Sequence, residues 1–151
     1  MAQPEIVNAG VKALLSMPLT HRIGSKDVRI LRFRGRKTGR RYSFPVGYHR
    51  GPESVLTTTD DRWWRNLHPE GPVRILIRRK WFSATAAALP EHDKAIAGIT
   101  ELVAASERYA GWLKVGMESD GTPSRTDVER EFAGGRIPIR FTGLAPSTGK
   151  I

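Results

Sequence analysis

The chain has 151 residues, 39% of them hydrophobic, which suits one domain built around a single sizeable core. It has no cysteine, so disulfides and thiolate metal sites are excluded, and no apolar run approaches the roughly 20 residues of a membrane span. A net charge of +10 asks for an anionic partner, whether nucleic acid, an anionic membrane face or a polyanionic small molecule.

In chain order, residues 5–17 (EIVNAGVKALLSM) place Ile6, Val7, Val11, Leu14 and Leu15 at helical spacing before Pro18, predicting a short amphipathic helix. The opening lacks a basic leader followed by an apolar core, so the expected location is the cytoplasm, at most peripheral to a membrane. VRILRFR, YSFPVGYHR and SVLTTT then read as an antiparallel meander linked by GRKTGR and GPE. Leu31 and Phe33 alternate with Arg32 and Arg34, while Tyr42, Phe44, Val46 and Tyr48 share one face. DDRWWRNLHPEG opens on two acids and ends in a turn, predicting one or two helical turns. Strands PVRILIR and WFSATAAAL follow, joined by the tight basic turn RRK.

After Pro90, EHDKAIAGITELVAASERYAGWL carries Ile96, Ile99 and Val103 as a stripe and is predicted to be the longest helix. A polar stretch with a short helix at 125–133 leads to the strand RIPIRF, with Ile137, Ile139 and Phe141 on one face. The residues from about 143 to 151 read as a frayed, flexible tail. The strands follow one another too closely for helical crossovers of a dozen or more residues. The expected fold class is therefore α+β, a barrel of about six mainly antiparallel strands with flanking helices, all in one domain over 1–151.

Several chemistries lack their residues. Lys37-Thr38-Gly39 has no upstream S-x-x-K, and Arg36 stands where a P-loop needs glycine. His21, His49, His68 and His92 are scattered without paired spacing, so no metal site is expected. Neither G-x-S-x-G nor H-E-x-x-H occurs, which leaves no support for acyl transfer or zinc hydrolysis. GRKTGRR remains. Gly35 and Gly39 can expose backbone N–H groups in a concave nest, with Arg36, Lys37, Arg40 and Arg41 as charged arms and Thr38 as a hydroxyl. The turn suits a phosphate or carboxylate, and equally a solvated hairpin tip. Trp63 and Trp64 are adjacent, so both cannot face inward from a helix, and one lines a cavity or the surface. Thr57, Thr58 and Thr59 suit a strand end or a set of donors to a ring system. The arginines alternate with apolar residues as on a wetted barrel face, which argues against a nucleic-acid partner.

The series RILRFRGRKTGRRYSFPVGYHRGPESVLTTT, RWWRNL, PVRILIRRKWFSATAAAL and, more weakly, RIPIRF resembles the deazaflavin (F-420)-dependent nitroreductase and quinone reductase family, built on the FMN-binding split β-barrel. The resemblance implies an F-420-dependent oxidoreductase passing hydride to a quinone, nitro compound or activated alkene. The cofactor carries the hydride, so no side chain is assigned a catalytic role. By the same resemblance, Arg36, Lys37, Thr38, Gly39 and Arg41 hold the phosphate and acidic tail. Phe44, Pro45 and Val46 lie along the ring, Thr57, Thr58 and Thr59 touch it, and Trp63 and Asn66 stand near the pocket. Tyr48, Trp64, Tyr109 and Trp112 are the candidate acceptor side. FMN is the alternative cofactor, a non-catalytic module for flavin, haem or a lipid-like ligand the alternative function, and a monomer or homodimer the expected assembly.

Overall fold

The computed structural model describes residues 28–51, 54–68, 71–148 and 150; the helix expected at 5–17 lies outside them. One seven-stranded sheet is built from β1 (Val28–Arg34), β2 (Arg41–Gly47), β3 (His49–Arg50), β4 (Ser54–Thr59), β5 (Gly71–Ile77), β6 (Lys80–Ala88) and β7 (Ile137–Pro146). Its order is β2-β1-β5-β6-β7-β4-β3, and every pairing is antiparallel. The two edge strands, β2 and β3, are separated in sequence by Tyr48 alone. A sheet whose opposite edges are joined by one residue must curl until those edges meet, which gives the split barrel.

The expected alternation is present. Leu31, Phe33, Tyr42, Phe44, Val46, Val73, Ile75, Ile139 and Phe141 fill the barrel, while Arg34 and Arg41 stay exposed. Phe33 stacks on Tyr42 with ring centroids 5.0 Å apart and meets Phe44 edge-on. YSFPVGYHR, read as one strand, is two: the chain leaves β1 at Gly47 and re-enters the sheet beside β4, raising the strand count from six to seven. The last strand also continues past Phe141 to Pro146, into the stretch assigned to the tail. A register shift opposite Ser83 and Thr85, with Gly143 at φ +66, forms a bulge that lets β7 keep pairing with β6 while it bends.

The helix expected over 91–113 is broken at Ser106, whose φ of −141° is extended. It becomes α1 (His92–Ala105) and α2 (Glu107–Leu113), with the Ser106 hydroxyl accepting from the Tyr109 amide at 3.3 Å as the cap of α2. The short helix at 125–133 is α3 (Arg125–Ala133), capped by Ser124. Ile96, Ile99, Leu102 and Val103 of α1, Tyr109, Ala110 and Leu113 of α2 and Val128 of α3 gather around Leu56 of β4 as a second core outside the barrel. Among the described residues no helix is long and apolar enough to cross a membrane.

Candidate cofactor site

The β1–β2 connection closes on itself. Gly35 N–H donates to the Arg40 carbonyl at 2.8 Å, Gly39 N–H to the Gly35 carbonyl at 3.0 Å, and Arg40 N–H to the Thr38 hydroxyl at 3.3 Å. Gly39 has φ +69, a left-handed geometry that favours glycine at this position. The turn is also fastened to its neighbour. Arg36 donates its N–H to the Asn66 carbonyl at 2.9 Å and its Nε to the Arg65 carbonyl at 2.7 Å. Those carbonyls belong to a 3-10 turn, Arg62–Asn66, whose first amide is capped by the Asp61 carboxylate at 2.7 Å.

The predicted nest is therefore corrected. Bonds within the turn take the amides of Gly35, Gly39 and Arg40, and the Asn66 carbonyl takes that of Arg36, which leaves those of Lys37 and Thr38 without a partner among the described residues. The charged arms are as expected: Arg36, Lys37, Arg40 and Arg41 are exposed, and among the described residues no carboxylate pairs with them.

From this turn β2 runs along an edge of the sheet, with one side of its backbone unpaired among the described residues. Hydrogen-bonded and open pairs alternate along an antiparallel ladder, so the β1 register turns the backbone groups of Ser43, Pro45 and Gly47 outward. Pro45, with no N–H to offer, sits at one of these outward positions. Phe44 and Val46 point into the barrel, so only the backbone of this strand is presented at the edge. The Trp63 ring, half-buried, packs edge-on against Phe44 at 4.7 Å and supports the strand from within. Trp64 is also half-buried, with the Arg65 guanidinium 5.5 Å from its ring. A 3-10 turn offers no single inward face, so the two indoles share the burial rather than dividing into core and surface.

Six residue steps along β2, about 20 Å from the turn, lies Gly47. Its carbonyl accepts from the Tyr109 hydroxyl at 2.6 Å and from the Thr57 hydroxyl, and the two hydroxyls are 3.1 Å apart. Thr57 is wholly buried. With one proton each, both hydroxyls are committed to Gly47, so this cluster stitches β2 to β4 and α2 across the barrel's open seam. A Cβ on Gly47 would lie 3.1 Å from the Trp112 ring and 3.2 Å from the Tyr109 hydroxyl, so glycine is what lets α2 approach this closely. The Trp112 ring meets Tyr109 edge-on at 4.9 Å, and its Nε1–H is buried without a hydrogen-bond partner among the described residues.

The candidate residues thus fall into two groups at opposite ends of β2. Arg36, Lys37, Thr38, Gly39, Arg41, Trp63, Trp64 and Asn66 collect at the turn. Tyr48, Tyr109 and Trp112 collect near Gly47, so Trp64 does not share a pocket with them. The threonines divide as a strand requires: Thr57 and Thr59 face inward, while the Thr58 hydroxyl lies 3.5 Å from the Arg136 guanidinium. Thr59 accepts from the Asp61 amide at 3.1 Å, which shapes the entry to the 3-10 turn. Gly47 was passed over in the sequence, where a glycine before an aromatic is an ordinary strand end. The shallow groove along α1 lined by Asp93, Ile96, Ala97, Thr100, Glu101 and Arg125 contains none of these residues.

A curled antiparallel barrel whose open edge strand links a cationic turn to a packed aromatic pair has the form of the flavin-binding split barrels. The profile of the F420H(2)-dependent quinone reductase family matches residues 9–115, well over half of the chain. The chain belongs to this family, and is an oxidoreductase whose cofactor is F-420. It is similar to the solved structure of an F420 reductase (14% identity, 82% of this chain and 88% of that one, TM-score 0.43). It is likewise similar to a FAD-binding protein from Mesorhizobium loti (13% identity, 93% and 94%, TM-score 0.47). A third similar structure is HutZ, the heme storage protein of Vibrio cholerae (16% identity, 93% and 94%, TM-score 0.44). Among curated proteins none matches the sequence.

Proposed function

We propose that this protein reduces a quinone, with F-420 lying along the free edge of β2, its anionic tail on the β1–β2 turn and its ring towards Gly47. The observation that carries this reading is the pairing of two unmet demands at the ends of one strand. Among the described residues, four cations without carboxylate partners stand at one end, and a buried indole N–H without an acceptor at the other. A protein seldom leaves a buried donor unpaired, so a ligand oxygen is the natural partner for Trp112 Nε1.

The residues present fit the cofactor. Arg36 and Lys37, with Arg40 and Arg41 beside them, would hold phosphate and carboxylates, helped by the amides of Lys37 and Thr38. Arg36 is already anchored through its N–H and Nε, so its position is set before any ligand arrives. The outward backbone of Ser43 and Pro45 would border the ring, with Phe44 and Trp63 keeping the strand in place. Reduced F-420 bound there would supply a hydride, and the quinone would take the one further proton it needs from solvent. Trp112 Nε1–H would donate to the acceptor oxygen on which negative charge grows, which favours transfer. The Tyr109 hydroxyl, bonded to Gly47, positions the Trp112 ring and supplies no proton. Nitro compounds and activated alkenes are further acceptors for the same hydride, and the location we propose is cytoplasmic.

The test is a fluorescence titration of the purified protein with F-420, beside FMN, followed by quinone turnover. Lys37→Ala should weaken F-420 binding about tenfold, as loss of one charge-assisted contact does, with no change in melting temperature. Trp112→Phe should lower kcat for the quinone and leave F-420 affinity nearly unchanged. Wild-type protein that binds no F-420, or binds it without turning over any acceptor, would falsify the proposal, the second result favouring a non-catalytic ligand module.

A further inference from the structure

The tight turn between β5 and β6 consists of Arg78 and Arg79, closed by the pair Ile77 and Lys80. Both arginines have positive φ, 48° and 67°. Two-residue hairpins adopt this geometry because its twist matches that of the strands, and Asn-Gly fills it with least strain. This chain places two arginines there instead, followed by Lys80, all three exposed and without carboxylate partners among the described residues. Strained left-handed residues at an exposed tip persist where their side chains are needed.

Charge distribution points the same way. Residues 28–88 hold 14 of the 25 Arg and Lys but only 4 of the 15 Asp and Glu, so this segment carries the whole surplus of ten. Part of that surplus is the cofactor turn, but the strand register sets the RRK tip at the other end of the barrel. Ile30 pairs with Leu76 and Val28 with Gly47, so the tip lies beside the start of β1, two strands or about 10 Å across from Gly47. Aromatic rings follow directly. The Arg32 guanidinium lies 4.5 Å over the half-buried Trp81, and that of the exposed Arg50 lies 5.6 Å over Phe82.

We propose that the β5–β6 tip docks the protein on an anionic lipid surface, with Arg78, Arg79, Lys80 and Arg50 meeting headgroup phosphates and Trp81 at the level of the interface. A convex two-residue tip with an adjoining tryptophan suits a flat charged surface. A nucleic-acid strand would be better served by a groove with exposed rings. The docked end is also the Gly47 and Trp112 end, so a quinone dissolved in the bilayer would reach the acceptor side directly. That last step rests on the proposed function; lipid binding itself does not.

The experiment is co-sedimentation of the full chain, without F-420, with phosphatidylcholine vesicles that contain or lack phosphatidylglycerol. Wild-type protein should bind only the anionic vesicles, and added salt should release it. The double variant Arg78→Asn/Arg79→Gly should bind about 30-fold more weakly, since two cations near such a surface are lost. It should also melt about 5 °C higher, because Asn-Gly relieves the turn. Lys37→Ala, at the other end of the barrel, should bind vesicles as wild type does. Equal vesicle binding by the double variant, or binding of an RNA oligonucleotide in place of vesicles, overturns the proposal. Failure of F-420 titration with vesicle binding intact would instead remove only the cofactor reading.

Discussion

The seam of the barrel rests on one shared acceptor, and a double-mutant cycle on Thr57 and Tyr109 tests it directly. Thr57→Val keeps the side-chain shape, and Tyr109→Phe keeps the ring against Trp112, so each removes little beyond a hydroxyl. In either single variant the buried Gly47 carbonyl retains one donor, and the loss should be about 1 kcal/mol, the net worth of a hydrogen bond. In the double variant that carbonyl has no donor, which adds about 1–3 kcal/mol of unrecovered desolvation. The double variant should therefore lose about 3–5 kcal/mol, against about 2 for the sum of the singles. For a chain of this size that corresponds to melting about 10 °C below wild type. Urea denaturation of the four proteins provides the measurement, with midpoints compared at constant slope. Additivity to within about 0.5 kcal/mol would mean that the two hydroxyls do not share the Gly47 carbonyl, and that the seam is held by something else.

Three further outcomes are expected. In Gly35→Ala the new Cβ would fall 2.8 Å from Tyr42 Cε2, and the Tyr42 ring is buried in a stack with Phe33; the cost should be about 1–3 kcal/mol, and a melting temperature equal to wild type would show the stack to be loose. Trp63→Ala should cost about 2 kcal/mol, less than a fully buried aromatic because the ring is half-buried, so a loss above about 4 in denaturant unfolding would contradict its placement. His92 at the start of α1 holds its proton more tightly than usual, first because its Nε2 faces the Glu129 carboxylate of α3 at 2.9 Å and then because Nδ1 faces Asp93 at 3.1 Å, with Arg125 also on Glu129. A raised folded pKa gives stability that is complete below the ordinary value of 6.5 and lost as pH rises through the raised value. The melting advantage of wild type over His92→Gln should thus shrink as pH rises above 6.5, and a difference that stays constant from acid to alkaline pH would refute the clamp.

Local pattern carried much of the architecture. Alternation in VRILRFR and RIPIRF identified the inward faces of β1 and β7, and the stripe of Ile96, Ile99 and Val103 identified the buried face of α1. Ser106 stands three residues before Tyr109 as an N-cap should, and the break between α1 and α2 was readable from it, but helical periodicity on both sides hid the signal. The division at Tyr48 was not readable, because it depends on which strand lies beside His49 and Arg50, a matter of distant pairing. The same holds for the site. Four cations and two glycines suited the turn to an anion or to solvent, yet the partners of Arg36, the Asn66 carbonyl for its amide and the Arg65 carbonyl for its Nε, lie some 30 residues away. Strand alternation divides Thr57 and Thr59 from Thr58, but nothing local says that Thr57 bonds to Gly47.

The place of β7 between β6 and β4 has a consequence for how the chain folds. Ser54 pairs with Thr142 and Thr59 with Ile137, so β4 waits for a partner about 80 residues downstream. Pairings of such long range are slow to form, because loop closure must precede any gain from contact. During synthesis the hairpins β1–β2 and β5–β6 can assemble early, while β4 and the outer side of β6 expose open ladder edges until the last strand emerges. Of all the strands, β7 is therefore the one whose delay or loss should most readily turn this barrel towards aggregation.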